Sequence, residues 1–361
     1  MKAVDHYIRI NKKTIEKHIL FMVHWELTNR CNLNCIHCYC SHNSNRKELS
    51  SGEIKQTLDT LAGMQTLFII FSGGEPLMRE DFFTIARYAR AKGFALKIMT
   101  NGTLITPEAA DNIKEINPFS VDMSLYAASP ELHDRVTGCP GSFEKTIQAF
   151  SLLGERGVKT TAKSVLMRPN VDQLNGLKKL AGKLGAGFVY DFVLMPKNDG
   201  SWGPLAYRLT TEEVYQIIMS EGKGPGAEPR QVVDDDTFMC SAGLNNIAIS
   251  PYGDVYPCVA LRIKAGNLRE QSLAEIQDSP VLRQMRTTKF SDLQACRECK
   301  LARYCRRCPG LAVREGGDFL GPSPADGKLA EVWRRLDVER GGKEYGNEKE
   351  EEKLYQTRNS V

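Results

Sequence analysis

Nowhere in its 361 residues does this chain carry an apolar run approaching the roughly 20 residues that would cross a bilayer. Met1 to Lys17 is mixed and charged, without the apolar segment of a secretory signal. An excess of one charge is missing too. Against 48 Lys and Arg stand 44 Asp and Glu, a net charge of +4, too balanced to argue for nucleic acid or a membrane as partner. There is no internal repeat, and no cysteine follows Cys308. These absences lead to the expectation of a cytoplasmic protein, in a compartment that keeps thiols reduced. With 42% apolar residues the chain can bury a substantial core, roughly three quarters of its unfolded surface at this size. Its length suggests two domains, or one large barrel with an appendage.

What is present is cysteine in clusters. Four of the 11 fall in 31–40, one is Cys139, and six lie between 240 and 308. In a reducing compartment that distribution points to metal or clusters rather than disulfides. Cys31-Asn-Leu-Asn-Cys35-Ile-His-Cys38 puts three thiols on one short loop. Three thiolates can hold three irons of a [4Fe–4S] cube and leave the fourth iron open to something that is not a cysteine. A structural zinc site would ask for a fourth protein ligand. Cys40, only two residues beyond Cys38, would reach back under strain to close the cube. The open iron is the better reading.

Residues 20–195 alternate between strand and amphipathic helix. Strands are expected at 21–27, 66–71, 95–99, 120–125, 160–167 and 187–193. The helices between them have recognisable ends. Ser50 and Glu53 make a capping box before 51–62, Thr106-Pro107 opens 107–115, and Gly93 closes 81–92. Ser142 opens 143–156, and Asn170 opens 171–184. Six strand-then-helix units imply parallel strands with right-handed crossovers. Six is short of a closed eightfold barrel, so the expected fold is α/β, a partial (βα)6 TIM-like barrel over 20–195. The lead-in is 1–19. A connector at 196–233 holds one helix near 211–219. Residues 246–250 and 254–258, around Pro251-Tyr252-Gly253, read as a β-hairpin within a small cysteine-rich domain at 234–330. The charged tail is 331–361, with 339–361 expected to be frayed.

In parallel barrels, function gathers at the carboxyl ends of the strands. The Cys31–Cys38 loop follows the first strand, Ser72-Gly-Gly-Glu-Pro76 the second and Thr100-Asn101-Gly102 the third, while Ser124 ends the fourth. A Gly-Gly-Glu-Pro turn alone could be an ordinary strand-to-helix turn. Its glycines let backbone approach a ligand closely, and Glu75 offers an acceptor for an ammonium. Four such motifs on one rim are harder to dismiss.

The pair C-x3-C-x2-C and Gly-Gly-Glu-Pro resembles the radical S-adenosylmethionine (radical SAM) superfamily over about residues 20–195. The resemblance implies that Cys31, Cys35 and Cys38 ligate three irons of a [4Fe–4S] cluster, with S-adenosylmethionine chelating the fourth. It places Gly73, Gly74 and Glu75 at the methionine amino group, and Asn101 and Ser124 near the ribose or carboxylate. Lys163 or Arg135 is the further carboxylate partner. One electron from the cluster then cleaves the sulfonium, and the 5′-deoxyadenosyl radical abstracts a hydrogen from substrate.

The second half carries Cys240, then Gly253-Asp-Val-Tyr-Pro-Cys258, then Cys296-x2-Cys299-x5-Cys305-x2-Cys308. In isolation, 296–308 reads as a small zinc knuckle. Behind a radical enzyme core, the series resembles the SPASM extension, which binds one or two auxiliary iron–sulfur clusters. The resemblance implies one cluster on Cys240, Cys258 and Cys308 and an outer one on Cys296, Cys299 and Cys305. The family usually has x3 where this chain has x2 before Cys308. It also places a final cysteine some twenty residues on, where this chain has Asp326-Gly327. Asp326 or Asp318 is the oxygen donor to replace that thiolate; otherwise the outer cluster is labile or has an open iron. Asp234 is the only nearby oxygen candidate ahead of Cys240.

Blander readings hold elsewhere. Cys40 and Cys139 read as buried small residues, and His37 as packing against the cluster. Tyr126 reads as packing. Glu26 and Asp191, in or at the end of barrel strands, are the candidates for handling a proton, with a satisfied hydrogen bond as the alternative. Arg297, Arg303, Arg306 and Arg307 form either a solvated face or a dock for an acidic electron donor such as flavodoxin or ferredoxin. The leading expectation is an oxidoreductase that modifies a peptide or protein side chain, with ribosomal peptide maturation first. Residues 1–19 are too few for a fused leader-recognition domain, so a separate recognition protein is expected. Sulfatase maturation and tetrapyrrole or small-molecule chemistry are the alternatives within the class. Outside it stands a non-catalytic zinc-binding protein.

Overall fold

The computed structural model describes residues 3–41, 45–221 and 235–339. Six parallel strands run in sequence order: β1 Met22–Thr28, β2 Phe68–Gly73, β3 Ala95–Thr100, β4 Ser120–Ser124, β5 Thr160–Val165 and β6 Gly187–Asp191. Alternation decides which way each strand faces. Val23, Trp25 and Leu27, Ile69 and Phe71, Leu96 and Ile98, Val121 and Met123 all enter one large core. That core lies under the helices Ser51–Gly63, Phe82–Ala91, Pro107–Ile116, Ser142–Glu155 and Leu174–Lys183. The opposite face carries His24, Glu26, Ser72, Lys97, Asp122, Lys163 and Asp191, and this is the lumen. Among the described residues β6 pairs only with β5 and ends the sheet, so the barrel is open on that side, as the count of six units requires.

The sheet does not stop at the first strand. β7 Asn246–Ile249 pairs in parallel with β1, and β8 Asp254–Tyr256 and β9 Gly266–Asn267 follow antiparallel. The expected hairpin forms, but it extends the barrel sheet instead of standing apart.

Two other expectations change. The stretch 1–19 contains a helix, Ala3–Glu16, whose Asn11 and Thr14 side chains accept hydrogen bonds from Asn245 Nδ2 at 2.9 and 3.0 Å. The boundary expected at 330 falls inside the helix Pro324–Glu339. Charge dominates the composition of 331–339, yet Val332 and Leu336, four apart, bury against Val214, Tyr215 and Ile218 of helix Thr211–Ser220. Residues 340–361, which include most of the expected charged tail, lie outside the described residues, as do 222–233 of the connector and residue 234 of the cysteine-rich domain. Among the described residues no helix is long and apolar enough to cross a membrane.

Candidate active site and auxiliary cysteine groups

The loop after β1 is held from four sides. From the β2 turn, Gly74 N donates to Thr28 O and Glu75 N to Arg30 O, both at 2.8 Å. From the helix Pro130–Thr137, the last carbonyls accept from the loop, Thr137 O from Asn34 N at 2.9 Å and Val136 O from Ile36 N at 3.0 Å. These carbonyls have no partner within the helix, so the loop caps it. Sequence reasoning missed this helix because it is short and mostly polar, although Ser129-Pro130 and Gly138 mark its two ends. From the β3 turn, Asn101 Nδ2 donates to Asn32 Oδ1 at 2.9 Å. From the connector, Asn198 N donates to Tyr39 O at 2.8 Å and Asp199 N to Ser41 Oγ at 3.0 Å.

This frame presents Cys31, Cys35 and Cys38 as partly buried thiols outside any disulfide. Burial pushes Cys31 up to about 11 and Cys35 further, and the neighbouring thiols of the loop add to both shifts. Leu33 N points at Cys31 Sγ from 3.5 Å, which favours a thiolate. Burial and neighbouring thiols keep Cys31 and Cys35 from ionising, a penalty that bound iron would relieve, and Cys38 stands on the same loop, so the loop fits a cluster.

Beside them His37 packs edge-on to Tyr126 at 4.5 Å, and Tyr126 stacks on His133 at 5.8 Å. Burial lowers both histidines to about 4, so both are neutral near pH 7. Cys40 is buried and Cys139 partly so.

Glu75 is not the free acceptor its motif suggests. It is fully buried. Its Oε1 accepts from Thr100 Oγ1 at 2.7 Å and Leu77 N at 3.1 Å, and its Oε2 from Asn101 N at 2.7 Å. Burial raises it to about 7 against these bonds. It ties the β2 and β3 ends together. Gly73 and Gly74 likewise press on protein, since a Cβ on them would lie 2.3 Å from Thr28 O and 2.2 Å from Arg30 O. Ser124 is half-buried and bonds Tyr126. Arg135, on the helix that the loop caps, is exposed.

Deeper in the lumen, Lys97 and Lys163 both approach Asp122 Oδ2, at 2.9 and 3.3 Å. Asp191, exposed at the end of β6, accepts from Val193 N at 2.9 Å. Glu26 is committed: Arg262 Nη2 donates to both its oxygens, at 2.5 and 2.6 Å, and Tyr39 adds a bond at 3.3 Å. Arg262 arrives from beyond β8, so this buried pair joins barrel to C-terminal domain. Arg314 reinforces the join through Ala260 O at 2.7 Å, Pro196 O at 2.9 Å and Asn198 Oδ1 at 2.9 Å.

The other cysteines fall into two groups. Cys258 feels the charge of Cys240 and Cys308, and Cys308 that of Cys240. Two of them also receive main-chain N–H bonds, Ala242 N to Cys240 Sγ at 3.5 Å and Leu261 N to Cys258 Sγ at 3.3 Å. Cys296, Cys299 and Cys305 lie along successive turns, in which Cys299 N donates to Cys296 O and Cys305 N to Ala302 O. Asp326 sits with the first group, its Oδ2 accepting from Cys308 N at 2.7 Å. Asp318 bonds Leu320 N at 2.9 Å in the loop beside Arg307. Asp234 lies outside the described residues. The arginine group divides: Arg297 and Arg306 are exposed, but Arg307 is buried at 8%, because main-chain carbonyls of the 318–321 loop close over it.

Residues 25–181 match the radical SAM superfamily, and residues 240–300 match SPASM, an iron–sulfur cluster-binding domain. The chain is 30% identical over 333 residues, 84% of its length, to the AdoMet-dependent heme synthase of Methanosarcina barkeri, covering 95% of that protein. It is 31% identical over 327 residues, 83% of its length, to the mycofactocin maturase MftC of Mycolicibacterium smegmatis, covering 81% of it. Streptococcus suis SuiB bound to S-adenosylmethionine shares the fold, with a TM-score of 0.64 and 16% identity over 86% of this chain and 79% of that one. So does anSMEcpe with bound AdoMet, with a TM-score of 0.64 and 17% identity over 89% and 97% of the two chains. The protein is an enzyme whose radical SAM domain takes a [4Fe–4S] cluster that binds S-adenosylmethionine, and whose C-terminal domain takes auxiliary iron–sulfur clusters. A barrel open at β6, with its thiol loop clamped between two strand ends, and a cysteine-rich extension continuing the same sheet are the build of one family: the chain belongs to the radical SAM enzymes with a SPASM domain.

Proposed function

We propose that this enzyme modifies a peptide or protein side chain, using Cys31, Cys35 and Cys38 to hold the S-adenosylmethionine cluster. The observation that carries this reading is the open side of the lumen. β6 is an edge strand, and Val189, on its lumen face, and Val193 beyond it stay 50% and 40% exposed, so an extended chain can enter from that side. The likeness to mycofactocin maturases supports it. When bound, the cluster supplies the electron that cleaves S-adenosylmethionine to a radical able to take a substrate hydrogen. The protein's share is position and shelter. Asn101 and Ser124 would lie beside the bound cofactor and Lys163 would be the partner for its carboxylate, while Arg135, being exposed, would serve less well there. His37 and Tyr126 wall off water. Asp191, exposed at the open edge of the lumen, is the better placed proton acceptor, because Glu26 is held by Arg262. The exposed Arg297, Lys300 and Arg306 beside Cys299 suit an acidic flavodoxin or ferredoxin in a reducing cytoplasm. A separate protein would present the leader of a precursor peptide.

A second reading is favoured by one arrangement. Lys97 and Lys163 share the single carboxylate of Asp122, which leaves one ammonium for a substrate carboxylate, and the chain resembles heme synthases as closely as it does a maturase. The two are separated by incubating reconstituted enzyme, dithionite and S-adenosylmethionine with a mixed peptide library or with Fe-coproporphyrin III. Peptides are expected to raise 5′-deoxyadenosine at least tenfold and to change mass. Stimulation by the porphyrin alone would sink the peptide reading.

A further inference from the structure

The segment 45–50 is bonded to the C-terminal domain on one side and to the start of the thiol loop on the other. From the C-terminal domain, Pro251 O accepts from Leu49 N at 2.7 Å and Asp254 Oδ2 from Arg46 Nη1 at 2.5 Å. Arg269, two residues beyond β9, commits its guanidinium to the same stretch. Its Nη1 donates to Lys47 O at 2.9 Å and its Nη2 to Glu48 O at 3.1 Å, while Nε and Nη2 both reach the Glu53 carboxylate. On the barrel side, Glu48 Oε1 accepts from Thr28 Oγ1 at 2.8 Å and from Asn29 N at 2.7 Å. Thr28 Oγ1 accepts in turn from the N–H of Arg30, the residue before Cys31, at 3.1 Å. Arg79 Nη1 bridges the same two segments, donating to Leu27 O and Leu49 O at 3.1 Å each. Glu48 therefore has its main chain fixed by the C-terminal domain and its carboxylate fixed on the thiol loop.

We propose that Arg269 of the C-terminal domain, acting through Glu48, sets the position of the thiol loop and with it the binding of S-adenosylmethionine. The C-terminal domain then serves the radical SAM site through hydrogen bonds as well as through any cluster it holds. The inference rests on assigning Cys31, Cys35 and Cys38 as the cluster's ligands. Glu48 and Arg269 are positioning residues, which act on the loop and lie outside that ligand set. A carboxylate is a strong acceptor for the loop's two donors, and a small displacement of Arg30 passes directly to the first thiol.

The test begins with amide hydrogen exchange on the full-length chain before reconstitution, read by mass spectrometry of peptides covering 28–33. Glu48→Ala is expected to speed exchange there about tenfold. Glu48→Gln should stay near wild type, because its amide oxygen can accept the same two bonds. Arg269→Ala is expected to speed exchange about threefold, although among the described residues its side chain bonds none of 28–33. It should add nothing in the Glu48→Ala background, since both changes cut one connection. Arg269 is partly exposed, so its variant leaves the core intact and decides alone if Glu48→Ala does not fold. After reconstitution, Arg269→Ala and Glu48→Ala are expected to raise the KM for S-adenosylmethionine about fivefold, with kcat less affected. Unchanged exchange in Arg269→Ala, additive effects of the two changes, or faster exchange with an unchanged KM would overturn the proposal. Formation of 5′-deoxyadenosine by a Cys31→Ala, Cys35→Ala, Cys38→Ala variant would refute the ligand assignment whatever the exchange rates, and the proposal with it.

Discussion

Gly74→Ala is expected to cut 5′-deoxyadenosine formation by about 100-fold while leaving auxiliary iron in place. The new Cβ would lie 2.2 Å from Arg30 O and 2.6 Å from Arg30 C, and both are backbone atoms that no rotamer change can move. The β2 turn and the thiol loop would have to part, although Gly74 N to Thr28 O and Glu75 N to Arg30 O bind them on either side. Cys31 follows Arg30 directly, so the displacement reaches the first thiol. A misplacement on the order of 1 Å is enough for a loss of that size. Gly182→Ala is the control. That glycine lies in the helix Leu174–Lys183 with nothing within 4 Å of the added methyl, and the change should leave activity intact and stabilise slightly. Product formation by anaerobic chromatography and iron per chain check both variants. Wild-type turnover by Gly74→Ala would mean that the loop relaxes freely and is not clamped.

Arg262→Ala is expected to destabilise the protein by about 3–5 kcal/mol, the cost of stranding a buried carboxylate. Glu26 is 4% exposed, and without Arg262 only the Tyr39 hydroxyl remains to it among the described residues. The pair also joins β1 to the segment after β8, so its loss loosens the C-terminal domain from the barrel. Glu26→Gln combined with Arg262→Ala should lose less than Arg262→Ala alone, because no buried charge is then unpaired. Anaerobic denaturant titration of the reconstituted proteins measures both. A double variant as unstable as the sum of its singles would contradict the ion-pair account.

The barrel was legible because its strands are read by alternation and its helices by their caps. Ser50, Thr106 and Pro107 act where the sequence puts them, and the strands begin within two residues of expectation. Two helix starts shifted. Gly141 takes the N-cap position ahead of Ser142, whose hydroxyl bonds Asp134, and a 3-10 turn, Arg168–Gln173, precedes Leu174. What escaped the sequence is non-local. Nothing in Asn246–Ile249 announces that it pairs with β1, more than 200 residues earlier. The burial of Arg307 depends on the 318–321 loop, which folds back over it from further along the chain. Glu75 looks like a ligand acceptor until Thr100, Asn101 and Leu77 are seen to occupy its oxygens. In the last two cases a polar side chain that reads as free is engaged by groups that the folded chain brings near.

The most direct measurement is 5′-deoxyadenosine formation by the anaerobically reconstituted enzyme with dithionite and S-adenosylmethionine, alongside iron and sulfide analysis. The wild type should form it and carry about eight to twelve irons if two or three cubane sites fill, on the order of four per site. The variant with Cys31, Cys35 and Cys38 replaced by alanine should form none and lose about four irons. Formation that survives in that variant would place the chemistry elsewhere in the chain and contradict the assignment of this rim as the active site.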